Sequence, residues 1–211
     1  MKSDNLIFDV LTVGPLEVNC YIIGSKKDKT AVVFDAGGNP EDILNKLKKY
    51  HLTLKFIINT HAHFDHVGGV RALQDATGAK FMIHKDEVPL LNYLNEQSDA
   101  FGLPRIPMPK VDITFSDNEE LQIDGEVISI IHTPGHSPGS SCFFIDNAVF
   151  VGDTLFAGSI GRTDIYGGSH KQIIDSIRMR LFTLDDRIKV YPGHGPFTTM
   201  GHEKKHNPFF Q

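Results

Sequence analysis

Positive charge, long apolar runs and cysteine are all scarce in this chain, and each scarcity removes a class of function. Its 21 Lys and Arg stand against 26 Asp and Glu, a formal net charge of -5. Nucleic-acid binding rests on clustered cations that displace counterions, so neither DNA nor RNA is expected as a partner. No stretch approaches the roughly 18 apolar residues needed to cross a bilayer. The amino-terminal MKSDNLIFDV mixes charged and apolar residues without the apolar core of a secretory signal. A cytoplasmic protein with no membrane partner is therefore expected. Cys20 and Cys142 lie far apart, which excludes a disulfide framework and a CxxC half-site. Each sits in an apolar stretch, VNCYIIG or SSCFFI, and is read as a small buried residue. Internal repeats and low-complexity segments are lacking too.

What is present is an ordinary globular composition, with 40% hydrophobic and 22% charged residues. The 211 residues suffice for a sizeable core, and residues 1–211 are read as one domain. Short β-branched runs predict strands over 6–13, 18–23 and 30–34, separated by turns at Gly14-Pro15 and Gly24-Ser25. Pro40 opens an amphipathic helix, PEDILNKLKKY, with Ile43, Leu44 and Leu47 on its apolar face. A buried strand, KFIIN, follows. Beyond it the pattern predicts a helix over 68–76, a strand KFMI and a helix over 87–95. Further strands are expected at 113–115, 119–123, 126–131, 141–145 and 148–151, then a helix over 170–182 and a last strand, IKVY. Residues 98–110, SDAFGLPRIPMPK, carry three prolines and a glycine, which predicts a loop and a candidate lid. Strands alternating with amphipathic helices point to α/β layers, with helices outside packed sheets.

The chemistry gathers at strand ends. KFIIN runs into THAHFDHVGG, which holds His61, His63, Asp65 and His66 within six positions. ISIIH runs into TPGHSPG with His136, NAVFV into GDTLF with Asp153, and IKVY into PGHGPF with His194. If these ends share one edge of the sheets, the side chains converge. His61 and His63 alternate and project together from extended backbone, whereas Asp65 and His66 need a turn to reach the same cavity. A catalytic zinc takes three protein ligands and keeps a position for water. Five histidines and two aspartates therefore make two such sets and a bridge. Imidazole with carboxylate suits Zn, Fe or Mn, and the lack of thiolate excludes Fe–S chemistry. Two divalent ions are expected, with Zn the first choice. The other histidines of the eleven, His51, His84, His132, His170, His202 and His206, are read as structural or exposed.

These residues resemble the metallo-β-lactamase superfamily: THAHFDH matches its HxHxDH motif, and TPGHSPGS, GDTLF and PGHG follow in the expected order. The resemblance implies a four-layer αββα sandwich. It also implies a dinuclear site with His61, His63 and His136 on one metal, Asp65, His66 and His194 on the other, and Asp153 bridging. Within the superfamily the chain is most similar to single-domain, glyoxalase II-like hydroxyacylglutathione hydrolases. That implies a thioesterase acting on S-lactoylglutathione or a related small-molecule thioester, with a metal-bridging hydroxide attacking the carbonyl and Asp65 orienting it. Asp153 stands where many β-lactamases carry a cysteine, which counts against antibiotic hydrolysis. Two departures concern the thiol carrier. Only PFTTMGHEKKHNPFFQ follows Gly195, in place of a helical glutathione-binding domain. After GDTLF the chain reads AGSIGRTDIYGGS, with Asp164 where an aromatic residue is expected. Arg162, Tyr166 and Lys171 are candidates for holding an anionic carrier, against a reading as solvated surface. The GRTD stretch, residues 161–164, also resembles the persulfide dioxygenases, which implies as the alternative a mononuclear iron oxidoreductase that uses molecular oxygen.

Overall fold

The central strands are buried on both faces, and their successive side chains alternate between two apolar layers, which builds two sheets back to back. A computed structural model of the protein describes residues 4–123 and 126–211, so the first three residues of the amino-terminal stretch lie outside the described residues. One six-stranded sheet runs in spatial order β1 (Leu6–Val13), β2 (Val18–Ser25), β3 (Thr30–Phe34), β4 (Thr53–Ile58), β5 (Lys80–His84) and β6 (Val111–Phe115). Its first three strands are antiparallel, whereas β3 to β6 are parallel and need long crossover connections. The second sheet begins with the antiparallel β7 (Glu120–Ile123), β8 (Glu126–His132), β9 (Ser141–Ile145) and β10 (Ala148–Gly152). The chain then leaves it for a two-stranded ribbon, β11 (Leu155–Phe156) and β12 (Ser159–Ile160). It returns as β13 (Lys189–Pro192), parallel to β10, and β14 (Thr198–Thr199) closes that edge. The helices are α1 (Pro40–Lys49), α2 (Phe64–Val67), α3 (Val70–Thr77), α4 (Leu94–Ala100), α5 (His170–Ser176) and α6 (Met200–His206).

Three apolar cores separate four layers. In β3, Val33 packs with Ile43 and Leu47 of α1 and Leu73 of α3, while Val32 and Phe34 face the opposite sheet. The core between the sheets is aromatic: Phe34, Phe115, Phe143 and Phe150 are fully buried, and Phe34 stacks on Phe143 at 4.9 Å. In β10, Val149 and Val151 turn outward to a third core with Ile173 of α5 and Met200 of α6. This is the αββα sandwich. Cys20 and Cys142 are free and buried, and burial pushes the Cys142 thiol up to about 12. No helix among the described residues is long and apolar enough to cross a membrane.

Three elements depart from expectation. The helix predicted over 68–76 is present as α3, and the short α2 precedes it across Gly68-Gly69, where the chain runs hard against the loop after β3. A Cβ on Gly68 would sit 2.5 Å from the carbonyl oxygen of Gly37. The helix predicted over 87–95 is a 3-10 stretch, Lys85–Tyr93, with Pro89 inside it. Regular helix comes only in α4, which takes up the first residues of the expected loop 98–110. The rest of that loop is pinned: Ile106 N–H donates to Asn95 Oδ1 at 2.8 Å, and Lys110 exchanges two hydrogen bonds with Gln74. The helix predicted over 170–182 widens to a π-turn at Ile177–Leu181. The tail after Gly195 supplies β14 and α6, where buried Glu203 accepts hydrogen bonds from Thr198 Oγ1 at 2.6 Å and Asn207 Nδ2 at 2.9 Å.

Candidate metal centre

All four strand ends meet at one edge of the sandwich. The chain leaves β4 through bends at Thr60 and His61, is extended at His63 (φ -75°, ψ 148°) and then coils into α2. His61 therefore stands in a bend rather than in the extended backbone expected for it, His63 in extended backbone, and Asp65 and His66 in the helical turn. The loops after β8, β10 and β13 bring His136, Asp153 and His194 opposite them. Among the described residues four groups have ligand atoms mutually within 4.8 Å, and three of them lie at this edge: His61, His63 and His136; Asp65, His66 and His194; and His61, His66 and Asp153. Asp153 lies between the first two. Its carboxylate oxygens are 3.4 Å from His66 Nε2, 3.7 Å from His136 Nε2 and 3.7 Å from His194 Nε2.

The donor atoms fit divalent cations. His61 Nε2, His66 Nε2 and Asp153 Oδ1 are buried without a hydrogen-bond partner, and leaving such a group unsatisfied costs about 1–3 kcal/mol. Three of them around one point call for ligands there, and imidazole with carboxylate is a donor set for Zn, Fe or Mn. Two of the opposite ring nitrogens are held by hydrogen bonds, as metal-binding imidazoles require. His61 Nδ1 is 3.0 Å from Thr60 Oγ1 and His136 Nδ1 is 2.9 Å from the Arg162 carbonyl oxygen, while His66 Nδ1 lies 3.2 Å from Asp35 Oδ2 without a hydrogen bond. Glycine is required beside Asp153: a Cβ on Gly193 would overlap the Asp153 carboxylate and come 2.7 Å from His66 Cε1.

Burial works against charge on every imidazole here, and the outcome differs across the centre. It prevails at His61, at His63, where the pKa falls to about 3, and at His136. At His66 and His194 burial is outweighed by the carboxylates of Asp65 and Asp153, and both pKa values rise. Burial alone would raise Asp65 and Asp153 as well, but His66 and its neighbouring imidazoles hold both below the carboxylate range.

Two residues that organise the ligands went unnoticed in the sequence. Asp35 accepts hydrogen bonds from Thr60 N–H and Thr60 Oγ1, both at 2.8 Å, and faces His66. It ends β3 in FDAGG, a strand end running into glycines like the other ligand sites, so that signal was there to be read. Glu87 is fully buried and accepts from Ala62 N–H and Gly139 N–H, both at 2.6 Å. It ties the His61–His63 segment to the His136 loop, and nothing in the sequence around it marks it.

The centre forms the floor of a cavity of about 680 Å³. Arg162 and Tyr166 line it, but Lys171 does not: its exposed ammonium pairs with Asp175 one helical turn away. Of the expected lid, only Ala100 and Phe101 line this cavity, because the following residues are fastened to Asn95 and Gln74. His84 stacks on His132 at 4.3 Å and forms with exposed Asp86 the fourth group of close ligand atoms, but His84 Nδ1 already accepts from Asp86 N–H at 3.2 Å and His132 Nε2 lies 2.9 Å from the Pro138 carbonyl oxygen, as suits a structural role. His51, His170, His202 and His206 are exposed.

A family model of the metallo-beta-lactamase superfamily matches residues 13–194, and the chain belongs to that superfamily. Among its relatives, hydroxyacylglutathione hydrolase GloC of Haemophilus influenzae is 38% identical over 206 residues, spanning 95% of this chain and 96% of that protein. Among solved structures, the BLEG-1 B3 metallo-beta-lactamase aligns with TM-score 0.90 at 39% identity, over 97% of this chain and 100% of that one. TTHA1623 in a di-iron-bound form aligns with TM-score 0.86 at 36% identity, over 95% and 99%. Two of these names state different activities, a hydroxyacylglutathione hydrolase and a beta-lactamase, and the third records bound iron.

Proposed function

We propose that this chain is a metal-dependent thioester hydrolase of the glyoxalase II-like type, acting on S-lactoylglutathione or a related acyl thioester. The observation that carries this reading is the set of buried, unpartnered ligand atoms on His61, His66 and Asp153, gathered beneath a substrate-sized cavity that Asp153 lines with His63, Asp65, His136 and His194. The similarity to GloC supports the substrate class. His61, His63 and His136 would hold one ion, Asp65, His66 and His194 the other, and Asp153 would serve both. Two divalent ions, zinc in the first instance, supply Lewis acidity toward the carbonyl oxygen and lower the pKa of water toward neutrality. Asp65 lines the cavity as a carboxylate, 3.2 Å from His194 Nε2, where it orients the attacking nucleophile. The leaving thiol has a parent pKa of about 8.5 and departs as thiolate without a dedicated side-chain acid.

A mononuclear iron oxidoreductase acting on persulfides is the second reading. It is favoured by the GRTD stretch, whose Arg162 carbonyl lies against His136.

The test is hydrolysis of S-D-lactoylglutathione by metal-loaded protein without oxygen, with Asp153→Asn as control. Thioester loss with the parent protein, and background rates with reduced metal content in the variant, are expected. Equal rates in both would remove the proposed centre. No loss of this thioester or of a neutral acyl thioester with metal-loaded protein would overturn the thioesterase reading. Oxygen uptake with a persulfide would then assign the second reading, and turnover of a chromogenic cephalosporin a lactamase.

A further inference from the structure

The cavity's sides differ in character from its floor. Above the ligands stand Phe64, Leu90, Tyr93, Phe101, Ile165 and Tyr166. Phe64 packs on Phe101 at 5.1 Å and Tyr93 on Tyr166 at 5.4 Å. Yet Phe101 is 55% exposed and Tyr166 74% exposed, so the rim holds apolar ring surface in water. Charge is placed against an anion. Among the described residues that line the cavity, Arg162 is the one Lys or Arg, and Asp164 already occupies its guanidinium fork with bonds of 2.8 and 2.9 Å. Glu96 adds a carboxylate to the same wall. An anionic carrier entering here would shed water without gaining a free cation, which is unfavourable. An aryl or branched alkyl group would cover the exposed rings.

We propose that the cavity selects thioesters whose non-reacting part is uncharged and apolar, an aryl or branched-alkyl group, over those built on a thiol with several carboxylates. This rests on the thioesterase reading and narrows its substrate class. One methylene in an apolar pocket is worth about 10-fold in selection or more, so a phenyl group should show clearly.

Two measurements separate the pocket from the reaction. The first compares kcat/KM for S-phenylacetyl-N-acetylcysteamine, S-acetyl-N-acetylcysteamine and S-phenylacetylglutathione. The neutral aryl thioester should exceed each of the others by at least about 10-fold. The second needs no turnover: calorimetric binding of the uncleavable thioethers S-benzyl-N-acetylcysteamine and S-benzylglutathione to the metal-loaded protein. The neutral thioether should bind several-fold tighter. Tyr166→Ala and Phe101→Ala should erode that preference, and Asp164→Asn, which frees Arg162, should improve binding of the glutathione thioether. Equal or tighter binding of the glutathione thioether to the parent protein would overturn the proposal. So would an unchanged preference in both aromatic variants. A neutral-thioether preference without hydrolysis of any thioester would sink the thioesterase reading and leave the pocket assignment standing.

Discussion

Glu87 illustrates how much a single buried carboxylate can organise. Its two oxygens accept backbone N–H groups from both ligand loops that form the first histidine triplet. In Glu87→Gln, one N–H would still find an oxygen while the other would face an NH2 donor, a buried mismatch worth about 1–3 kcal/mol. The expected outcome is a lower thermal midpoint with preferential metal loss from His61, His63 and His136, checked by unfolding scans and metal analysis. A lower midpoint with full metal content would assign Glu87 to stability alone. The contrast with the ligands explains what could be read beforehand. Each of the seven proposed ligands stands in a segment that follows a strand end, and its side chain has a distinctive chemistry. Glu87 binds main-chain amides, which nearly every residue possesses, so only the folded chain reveals its partners.

Secondary elements were legible where their period is strong and blurred where it is shared. Ile173, Ile177 and Leu181 recur every four residues, a spacing that fits an α-helix and also the wider turn that follows α5. That wide turn presents Arg180 to Asp117, on the connection between β6 and β7, with two bonds of 2.9 and 2.8 Å. The hydrogen bond to Arg180 outweighs burial and holds the Asp117 carboxyl at about 2, against about 3.9 for a free side chain. A depressed carboxylate pKa stabilises the fold above the unfolded value, and the contribution is lost as pH falls through the folded one. The urea midpoint of Arg180→Met should therefore trail that of the parent protein at neutral pH. The gap should close between about pH 4 and pH 2. A gap independent of pH would show that Arg180 acts through packing rather than through the ion pair.

At the scale of the whole molecule, the proposed centre draws ligands from both sheets. Ions bound there act on the folded state only, so chelation should lower the thermal midpoint, and reloading should restore it. Protonation should make the two halves of the centre unequal. The carboxylates of Asp65 and Asp153 favour the protonated forms of His66 and His194, whereas burial favours the neutral forms of His61, His63 and His136. Loading near neutral pH should then release protons from the second triplet chiefly, and acidification should strip that ion first. Proton release in weak buffer and metal per chain against pH measure this. Simultaneous loss of both ions would show that the triplets act as one unit.

The division of ligands between the two sheets also has a temporal side. A growing polypeptide that has emerged only through β6 displays HAHFDH but has just two members of each triplet. His136 and His194 lie on stretches not yet made. Neither coordination set can close on the ribosome at that stage, so capture of metal becomes a late event in the life of the chain. Ion content then reports completed assembly of the molecule rather than mere synthesis of its most recognisable motif.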